Sequence, residues 1–234
     1  MMDGLKVIAR IHNDLPSKFG LPRQSLAASS LQGKIVFEPE FRVGEALRGL
    51  EKFSHVWLIW GFSESFREDW SPTVRPPRLG GNTRVGVFAT RSPYRPNPIG
   101  LSSVVLEDIR QDGANGTVLI VSGADLMDGT PIYDIKPYLP GVDSHSDARD
   151  EFVSARPQKL LAVAFAEGVG QRLHAVFSDR QINALKEILA QDPRPAYHDD
   201  PHRVYGILYA DQDVHFYVKE DTLTVIDVQD RSTC

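Results

Sequence analysis

The sequence predicts a mainly β protein, with an N-terminal antiparallel β-barrel and a smaller C-terminal α+β domain. Short apolar runs separated by glycine and proline turns fill the first part of the chain, and helical patterns are rare there. Further along, one strand-like run, one helix and three more strand-like runs follow a polar stretch. We therefore expect a barrel domain over residues 1–143, a linker over 144–157 and the α+β domain over 158–234.

The barrel prediction depends on seven strand-like runs. In the first of them, apolar residues alternate with polar ones, which is the two-residue period of a half-buried strand. The predicted strands are Leu5–His12, Lys34–Glu38, His55–Phe62, Arg84–Thr90, Ser102–Ile109, Thr117–Ser122 and Pro131–Lys136. A single helix is expected in this part of the chain, over Val43–Phe53, because its apolar residues recur at helical spacing.

The C-terminal elements begin with a predicted strand at Leu160–Phe165. Ser178 with Gln181 three residues later forms a capping-box pattern, which predicts a helix that starts there and ends before Pro193. Three further strands close the domain as a meander: Arg203–Ala210, Val214–Lys219 and Leu223–Val228.

One run superficially matches a dinucleotide or methyl-donor fingerprint. Gly168-x-Gly170 follows an apolar strand and an acidic residue, but Leu173 stands where the third small residue belongs. The chain that follows lacks the alternation of strands and helices that a Rossmann fold requires. The sequence therefore disfavours a Rossmann site.

Composition restricts the possible functions. The chain has 234 residues, of which 41% are hydrophobic and 24% charged, and its single cysteine is Cys234. We expect no internal disulfide, no cysteine-based zinc site and no metal. The longest apolar runs fall far short of a membrane span, and the first residues have no signal-peptide pattern, so we expect a cytoplasmic protein that does not contact membranes.

Charge is unevenly distributed along the chain. The formal net charge is −5, yet residues 70–106 hold five arginines and no acidic residue. A local excess of positive charge on an acidic chain is typical of a focused anion-binding site. A solvated arginine face remains the alternative.

The most unusual segment is the loop from Ser71 to Gly100. Its many prolines and glycines fix or free particular backbone angles, and loops built this way often carry function. Its arginines could bind a carboxylate or phosphate in a bidentate manner, and Tyr94, beside Arg95, could stack on a base. A rigid surface corner without function is the alternative.

A second candidate cluster lies in the last predicted barrel strand. Asp134, Lys136 and Tyr138 are two residues apart, so in a strand their side chains share one face. A carboxylate, an ammonium group and a phenol on one face could orient or deprotonate a substrate. A surface ion pair beside a tyrosine is the alternative.

Several long ordered runs resemble one protein family. They are Pro22-Arg-Gln24, Phe53-Ser-His-Val-Trp57, Val74-Arg-Pro-Pro-Arg-Leu-Gly-Gly-Asn82, Val87-Phe-Ala-Thr-Arg-Ser92, Arg95-Pro-Asn-Pro-Ile-Gly100, Asp128-Gly-Thr-Pro131, Asp134-Ile-Lys-Pro-Tyr138 and Leu189-Ala-Gln-Asp-Pro-Arg-Pro-Ala-Tyr197. In these runs, which span nearly the whole chain, the sequence resembles the TrmO (TsaA/YaeB-like) proteins.

The resemblance implies a tRNA methyltransferase that uses S-adenosylmethionine. It implies methylation of N6 of N6-threonylcarbamoyladenosine, next to the anticodon, by a homodimer whose methyl-donor domain is a non-Rossmann β-barrel. A non-catalytic RNA-binding or ligand-sensing β-barrel on the same scaffold is the alternative function.

The resemblance also implies roles for particular residues. The expected donor-binding residues are Pro22, Arg23, Gln24, Ser63, Glu64, Arg91, Leu101, Met127, Asp128, Gly129 and Thr130. Side-chain chemistry, and not the resemblance, suggests the remaining roles. The expected tRNA-binding residues are Arg78, Arg84, Tyr94, Arg95, Asn97, Arg194 and Tyr197, and the unranked catalytic candidates are Asp134, Lys136 and Tyr138. Ser63-Glu64 departs from the His-Gln type of pair expected after Phe62.

Overall fold

A computed structural model describes residues 4–64, 70–76, 83–149, 159–195 and 200–231. Its strands are β1 (Ala9–Asn13), β2 (Gln32–Phe37), β3 (His55–Gly61), β4 (Thr73–Val74), β5 (Val85–Gly86), β6 (Ile99–Gln111), β7 (Thr117–Ser122), β8 (Pro131–Pro137), β9 (Ala162–Phe165), β10 (Tyr205–Tyr209), β11 (Gln212–Lys219) and β12 (Thr222–Asp230). Its α-helices are α1 (Pro140–Asp143), α2 (Val169–Val176) and α3 (Asp179–Ala190).

Six strands form the predicted antiparallel barrel. They close in the order β1-β2-β7-β6-β3-β8, and alternate residues along each strand point inward. Fully buried Ile11, Leu58 and Leu119 lie in the apolar core of this barrel. The sequence pattern therefore placed six of the seven predicted N-terminal strands in the right part of the chain, because burial on one face imposes the two-residue period.

The predicted helix over Val43–Phe53 is wrong. The segment forms two 3₁₀ turns, Gly44–Leu47 and Leu50–Lys52. Gly49 separates them with a φ of +93°, and this left-handed backbone cannot continue a right-handed helix.

The predicted strand over Arg84–Thr90 is largely wrong. Only Val85–Gly86 is a strand, paired with Thr73–Val74. Val87–Ala89 is a 3₁₀ turn, anchored where the N–H of Val87 donates to the carbonyl of Pro72. Residues 77–82 of this loop lie outside the described residues.

The C-terminal part is the predicted α+β arrangement. Strands β10, β11 and β12 form an antiparallel meander, and β9 pairs in parallel with β12. Helix α3 has the predicted capping box, since the Ser178 side chain accepts from the N–H of Gln181 while the Gln181 side chain accepts from the N–H of Ser178. Helix α2 was not predicted; it begins after Gly168, in the run examined as a cofactor fingerprint.

The chain between β1 and β2 joins the two parts. Leu15, Ala28 and Leu31 belong to the same apolar core as the buried face of α3 and the C-terminal sheet. The segment therefore packs against the C-terminal part although it precedes the second barrel strand. The proposed boundaries at 143 and 158 stay a prediction, and residues 150–158 lie outside the described part of the chain.

Two features are absent from the described residues. No described helix is long and apolar enough to cross a membrane. In the same residues, no three or more His, Cys, Asp or Glu side chains are grouped as metal ligands would be.

Candidate active site

The candidate site lies at one end of the barrel, which we term the barrel mouth. Strands β1, β3 and β7 end there, while β2, β6 and β8 begin there. The mouth is therefore built from segments 14–31 and 123–130 and from the described residues of the connection 62–98. These segments carry most of the residues that the sequence predicted to bind the methyl donor.

Gln24 and Arg91 meet at the barrel mouth. The Nη1 of Arg91 donates to the Oε1 of Gln24 over 2.7 Å, although 67 positions separate the two residues. Gln24 is half-buried and Arg91 is exposed. The neutral amide oxygen positions the guanidinium without neutralising its charge, so Arg91 keeps donors that can bind an anion.

A buried hydrogen-bond chain lies beside this pair. Trp60 donates from Nε1 to the hydroxyl of Ser102 over 3.0 Å, and that hydroxyl donates to a carboxylate oxygen of Asp125 over 2.5 Å. Trp60 and Ser102 are buried inside the barrel. The chain therefore fixes the position of the Asp125 carboxylate at the rim.

Burial raises the pKa of Asp125 above its ordinary value, while the hydrogen bond from Ser102 and the nearby charge of Arg91 oppose that rise. The barrel mouth thus places a partly desolvated carboxylate within electrostatic range of an exposed guanidinium. The ring of Phe62 lies 4.3 Å from that of Trp60, centroid to centroid, which adds an aromatic surface. Both charges and an apolar surface are available to one ligand.

The turn from Met127 to Thr130 is held mainly by its neighbours on β1. Asp128 accepts from the N–H of Asn13 over 3.1 Å and lies 3.3 Å from Nδ1 of His12. Gly129 has a φ of +76°. Thr130 is buried, and its hydroxyl donates to the carbonyl of Met127 over 2.7 Å. The N–H groups of Asp128, Gly129 and Thr130 also donate to carbonyls within the fold, and the carbonyls of Gly129 and Thr130 accept from Arg10 and Ile11. The turn can therefore offer a ligand chiefly the side chain of Met127.

The other predicted donor residues at this end differ in orientation. Pro22 is buried. Arg23 turns toward the C-terminal part, where its Nη2 donates to the carbonyl of Asp192 over 3.3 Å. Ser63 and Glu64 are exposed, and the carbonyl of Glu64 accepts from Nζ of Lys18.

Leu101 and the three catalytic candidates lie on the outer wall of the barrel. Asp134 is paired with Ile59, which is paired in turn with Leu101. These positions alternate with inward-facing Leu58, so they face away from the core. Leu101 is 54% exposed. The structure therefore keeps these residues outside the barrel interior, with Asp134 nearer the barrel mouth than Lys136 and Tyr138.

Asp134 and Lys136 form an ion pair of 2.8 Å between Oδ2 and Nζ. The ring of Tyr138 packs against that of Trp57, with centroids 5.4 Å apart, toward the opposite end of the barrel. Asp134 and Lys136 are thus together as the strand spacing predicted, while Tyr138 is engaged with aromatic neighbours.

Four of the predicted tRNA-binding residues lie in the described part of the connection between β3 and β6. Arg84 and Asn97 are exposed, and Tyr94 is 39% exposed. Arg95 is half-buried, and its Nη1 donates to the carbonyl of Thr90 over 3.2 Å.

Arg194 is distant in sequence from the other predicted tRNA-binding residues described above, and its side chain is largely buried. Its guanidinium donates to both carboxylate oxygens of Asp192, over 2.8 and 2.9 Å. Arg78 and Tyr197 lie outside the described residues.

Sequence reasoning missed Asp125, Ser102 and Trp60 as site residues. A signal for Asp125 was present, because it is an acidic residue inside an apolar run that continues from β7. Sequence could not show that this carboxylate lies at the mouth, since the hydrogen bond joins the segment after β7 to Ser102 on β6.

Comparison with known proteins agrees with this architecture. The family model of the tRNA-methyltransferase O N-terminal domain matches residues 10–144 of this sequence. The family model of the TrmO C-terminal domain matches residues 158–231. The chain belongs to the TrmO family. A crystal structure of TrmO from Pseudomonas aeruginosa has a TM-score of 0.80 and 36% identity, covering 98% of each chain.

Two TrmO-like relatives align over nearly their full length. The Escherichia coli K12 protein named tRNA (adenine(37)-N6)-methyltransferase is 38% identical over 96% of this chain and 97% of its own. A P. aeruginosa protein provisionally named S-adenosylmethionine-dependent methyltransferase RcsF is 42% identical over 97% of this chain and 98% of its own. The resemblance inferred from the sequence is therefore confirmed.

Proposed function

We propose that this chain transfers a methyl group from S-adenosylmethionine to N6 of adenine 37 in tRNA, with N6-threonylcarbamoyladenosine as the acceptor. Membership in the TrmO family supports the reaction class. The observation that carries the assignment to a site is the convergence of Gln24, Arg91 and Asp125 at the barrel mouth.

The barrel mouth fits the charges of this donor. We assign the donor's carboxylate to Arg91, since a guanidinium forms strong bidentate hydrogen bonds with carboxylates. Asp125 is the complementary anion for the cationic groups of the donor, and the Phe62 and Trp60 rings offer an apolar surface. When bound, the donor supplies a methyl group on a positively charged sulfur.

The protein's remaining task is to align and deprotonate the acceptor. Methyl transfer by direct displacement needs no covalent nucleophile, but it requires proximity and exclusion of water. The acceptor nitrogen is amide-like and must lose its proton. We propose Asp134 as the group that accepts it, with Lys136 at 2.8 Å holding the carboxylate in place.

The acceptor also carries negative charge. Its threonyl carboxylate and the flanking phosphates require cations near the mouth. We assign this role to Arg84, which is exposed, and to Arg95, which is half-buried. Tyr94 offers a partly exposed ring on which a base can stack.

A methyl-transfer assay tests this function. The purified protein is incubated with methyl-labelled S-adenosylmethionine and tRNA from cells that lack the modification, and nucleosides are identified by mass spectrometry. We expect label in N6-methylated threonylcarbamoyladenosine. Retained tRNA binding without label would favour the alternative, a non-catalytic RNA-binding or ligand-sensing barrel.

A pair of arginine variants tests the location of the site. Arg91→Ala should abolish donor binding in calorimetry while circular dichroism stays unchanged. Arg48→Ala is the matched control, because Arg48 is also exposed but belongs to the segment at the opposite end of the barrel. Equal donor affinity in the two variants would exclude Arg91 from the site.

We also propose that the protein is cytoplasmic and that it acts as a homodimer, the second of which the resemblance implies. Exposed Leu101, Leu139 and Val142 give the outer barrel wall and the chain after β8 apolar surface that a second copy can cover. Sedimentation equilibrium measures the oligomeric state of the wild type and of Leu101→Glu, and we expect the variant to dimerise more weakly. A monomeric wild type would contradict the proposal.

A further inference from the structure

We propose that helix α3 of the C-terminal part positions the donor-binding segment 22–31, so that this part of the protein completes the donor site. The inference rests on the proposed function, because it assumes that donor binds at Gln24 and Arg91. It assigns Glu187 and Gln191 as positioning residues that act through the segment and do not contact donor themselves.

Glu187 anchors the C-terminal end of the segment. One of its carboxylate oxygens accepts from the backbone N–H of Ser30 over 2.8 Å. The other accepts from the hydroxyl of Ser30 over 2.8 Å and from that of Ser29 over 3.4 Å. Hydrogen bonds to a charged group are stronger than those between neutral groups, so one helical side chain fixes two consecutive residues.

Gln191 anchors the N-terminal half of the segment. It is 6% exposed, and its Nε2 donates to the carbonyl of Ala27 over 3.2 Å. Its Oε1 accepts from the backbone N–H of Arg23 over 3.4 Å. A single buried amide therefore bridges the two sides of Gln24, the residue that contacts Arg91.

Apolar contacts reinforce the same attachment. Ala28 and Leu31 are 1% exposed and pack in the core that includes Leu185 and Ile188 of α3. At Gly20, where φ is +89°, a Cβ atom would lie 2.1 Å from the side chain of Ile207. The chain just before the segment is thus closely packed against the C-terminal sheet at Gly20.

The segment's own backbone requires such external support. Leu26 has a φ of +65°, a left-handed conformation that is unfavourable for a leucine, and its N–H donates to the carbonyl of Gly123 over 2.7 Å. The barrel holds the segment at Leu26, while α3 holds it at both ends. Without α3, we expect Gln24 to be disordered until donor binds, and ordering it then opposes binding.

Variants on α3 test this inference. Glu187→Ala removes the anchor, and Glu187→Gln keeps an oxygen that can accept from the N–H of Ser30. Gln191→Ala tests the second anchor if the first variant folds poorly. Asn183→Ala is the matched control, because Asn183 is an exposed residue of the same helix.

We expect Glu187→Ala to weaken donor binding in calorimetry about tenfold, which corresponds to about 1.4 kcal/mol. The KM for donor should rise while kcat at saturating donor and the KM for tRNA stay unchanged. Glu187→Gln should recover part of the affinity. Without donor, hydrogen exchange over residues 23–31 should accelerate in Glu187→Ala and not in Asn183→Ala.

Other results overturn the inference. Wild-type donor affinity in both Glu187→Ala and Gln191→Ala would exclude a positioning role, even if thermal stability falls. Loss of tRNA affinity with unchanged donor affinity would assign the helix to RNA binding. A wild-type protein that binds no donor would instead refute the proposed function, so that measurement comes first.

Discussion

The ion pair between Glu107 on β6 and Arg180 on α3 predicts an acid-sensitive link between the barrel and the C-terminal part. Arg180 donates from Nη1 and Nη2 to the two carboxylate oxygens of Glu107, and from Nε to the carbonyl of Ser30. Gln32 also donates to Glu107, over 2.8 Å. Arg180 in particular lowers the pKa of Glu107 from 4.5 to about 2.

The size of this shift sets the expected energy. A pKa change of this size corresponds to roughly 3 kcal/mol between the two protonation states. The Arg180 side chain is 41% exposed, so solvent screening reduces the net contribution to about 1–2 kcal/mol. Glu107→Gln should lower the free energy of unfolding at pH 7 by that amount, and the melting temperature by roughly 3–6 °C.

The sign of the pH dependence follows from the lowered pKa. A carboxylate whose pKa is lower in the folded state stabilises the protein fully above pH 4.5, and this contribution is lost as the pH falls from 4.5 toward 2. Urea unfolding of the wild type and Glu107→Gln at pH 7 and pH 2.5 measures it. We expect the difference between the two proteins to shrink at the lower pH.

The solvent-exposed pair Lys6–Glu40 provides the control, since both side chains are about two-thirds exposed. Glu40→Gln should change the free energy of unfolding by less than about 1 kcal/mol at pH 7. The reasoning would be refuted if Glu107→Gln and the wild type had the same free energy of unfolding at pH 7. It would also be refuted if the two free energies differed by the same amount at pH 7 and pH 2.5.

Three further predictions concern stability. Because burial raises the pKa of Asp125, its charged form destabilises the native state at pH 7. Asp125→Asn should therefore raise the free energy of unfolding measured in urea, and this gain should shrink as the pH falls toward 3.8. The same variant should bind donor more weakly in calorimetry. Gly100→Ala places a Cβ atom 2.2 Å from the Trp60 ring and should destabilise the protein by about 1–3 kcal/mol. Gly86→Ala should not, because the space around Gly86 is open. Equal melting temperatures for the two variants would contradict this prediction. Ser178→Ala removes the cap of α3 and should lower the free energy of unfolding by about 1 kcal/mol, and an unchanged urea midpoint would argue against the cap's contribution.

Local chemistry explains which elements were predictable. Strands of the barrel and of the C-terminal meander were recognised because one buried face imposes alternation on neighbouring residues. The Ser178 capping box needs only four consecutive residues. The segment over Val43–Phe53 failed because its apolar spacing is helical, while the left-handed Gly49 interrupts the backbone.

The candidate site divides in the same way. Gln24 and Arg91 were expected on the basis of family resemblance, and the fold brings them within 2.7 Å. Asp125 was missed because its environment comes from Ser102, which lies on β6 and not in the segment that carries Asp125. The roles of the predicted site residues remain predictions for the assays described above.

By itself, the sequence determined the barrel strands, the C-terminal meander, the cap of α3 and membership in the TrmO family, since each is written in neighbouring residues or in long ordered runs. Only the tertiary structure decided that α3 is hydrogen-bonded to the segment carrying Gln24 and that Asp125 lies at the barrel mouth. The physical reason is that Glu187 and Ser30, like Asp125 and Ser102, are far apart in the chain and meet only when the strands and helices pack.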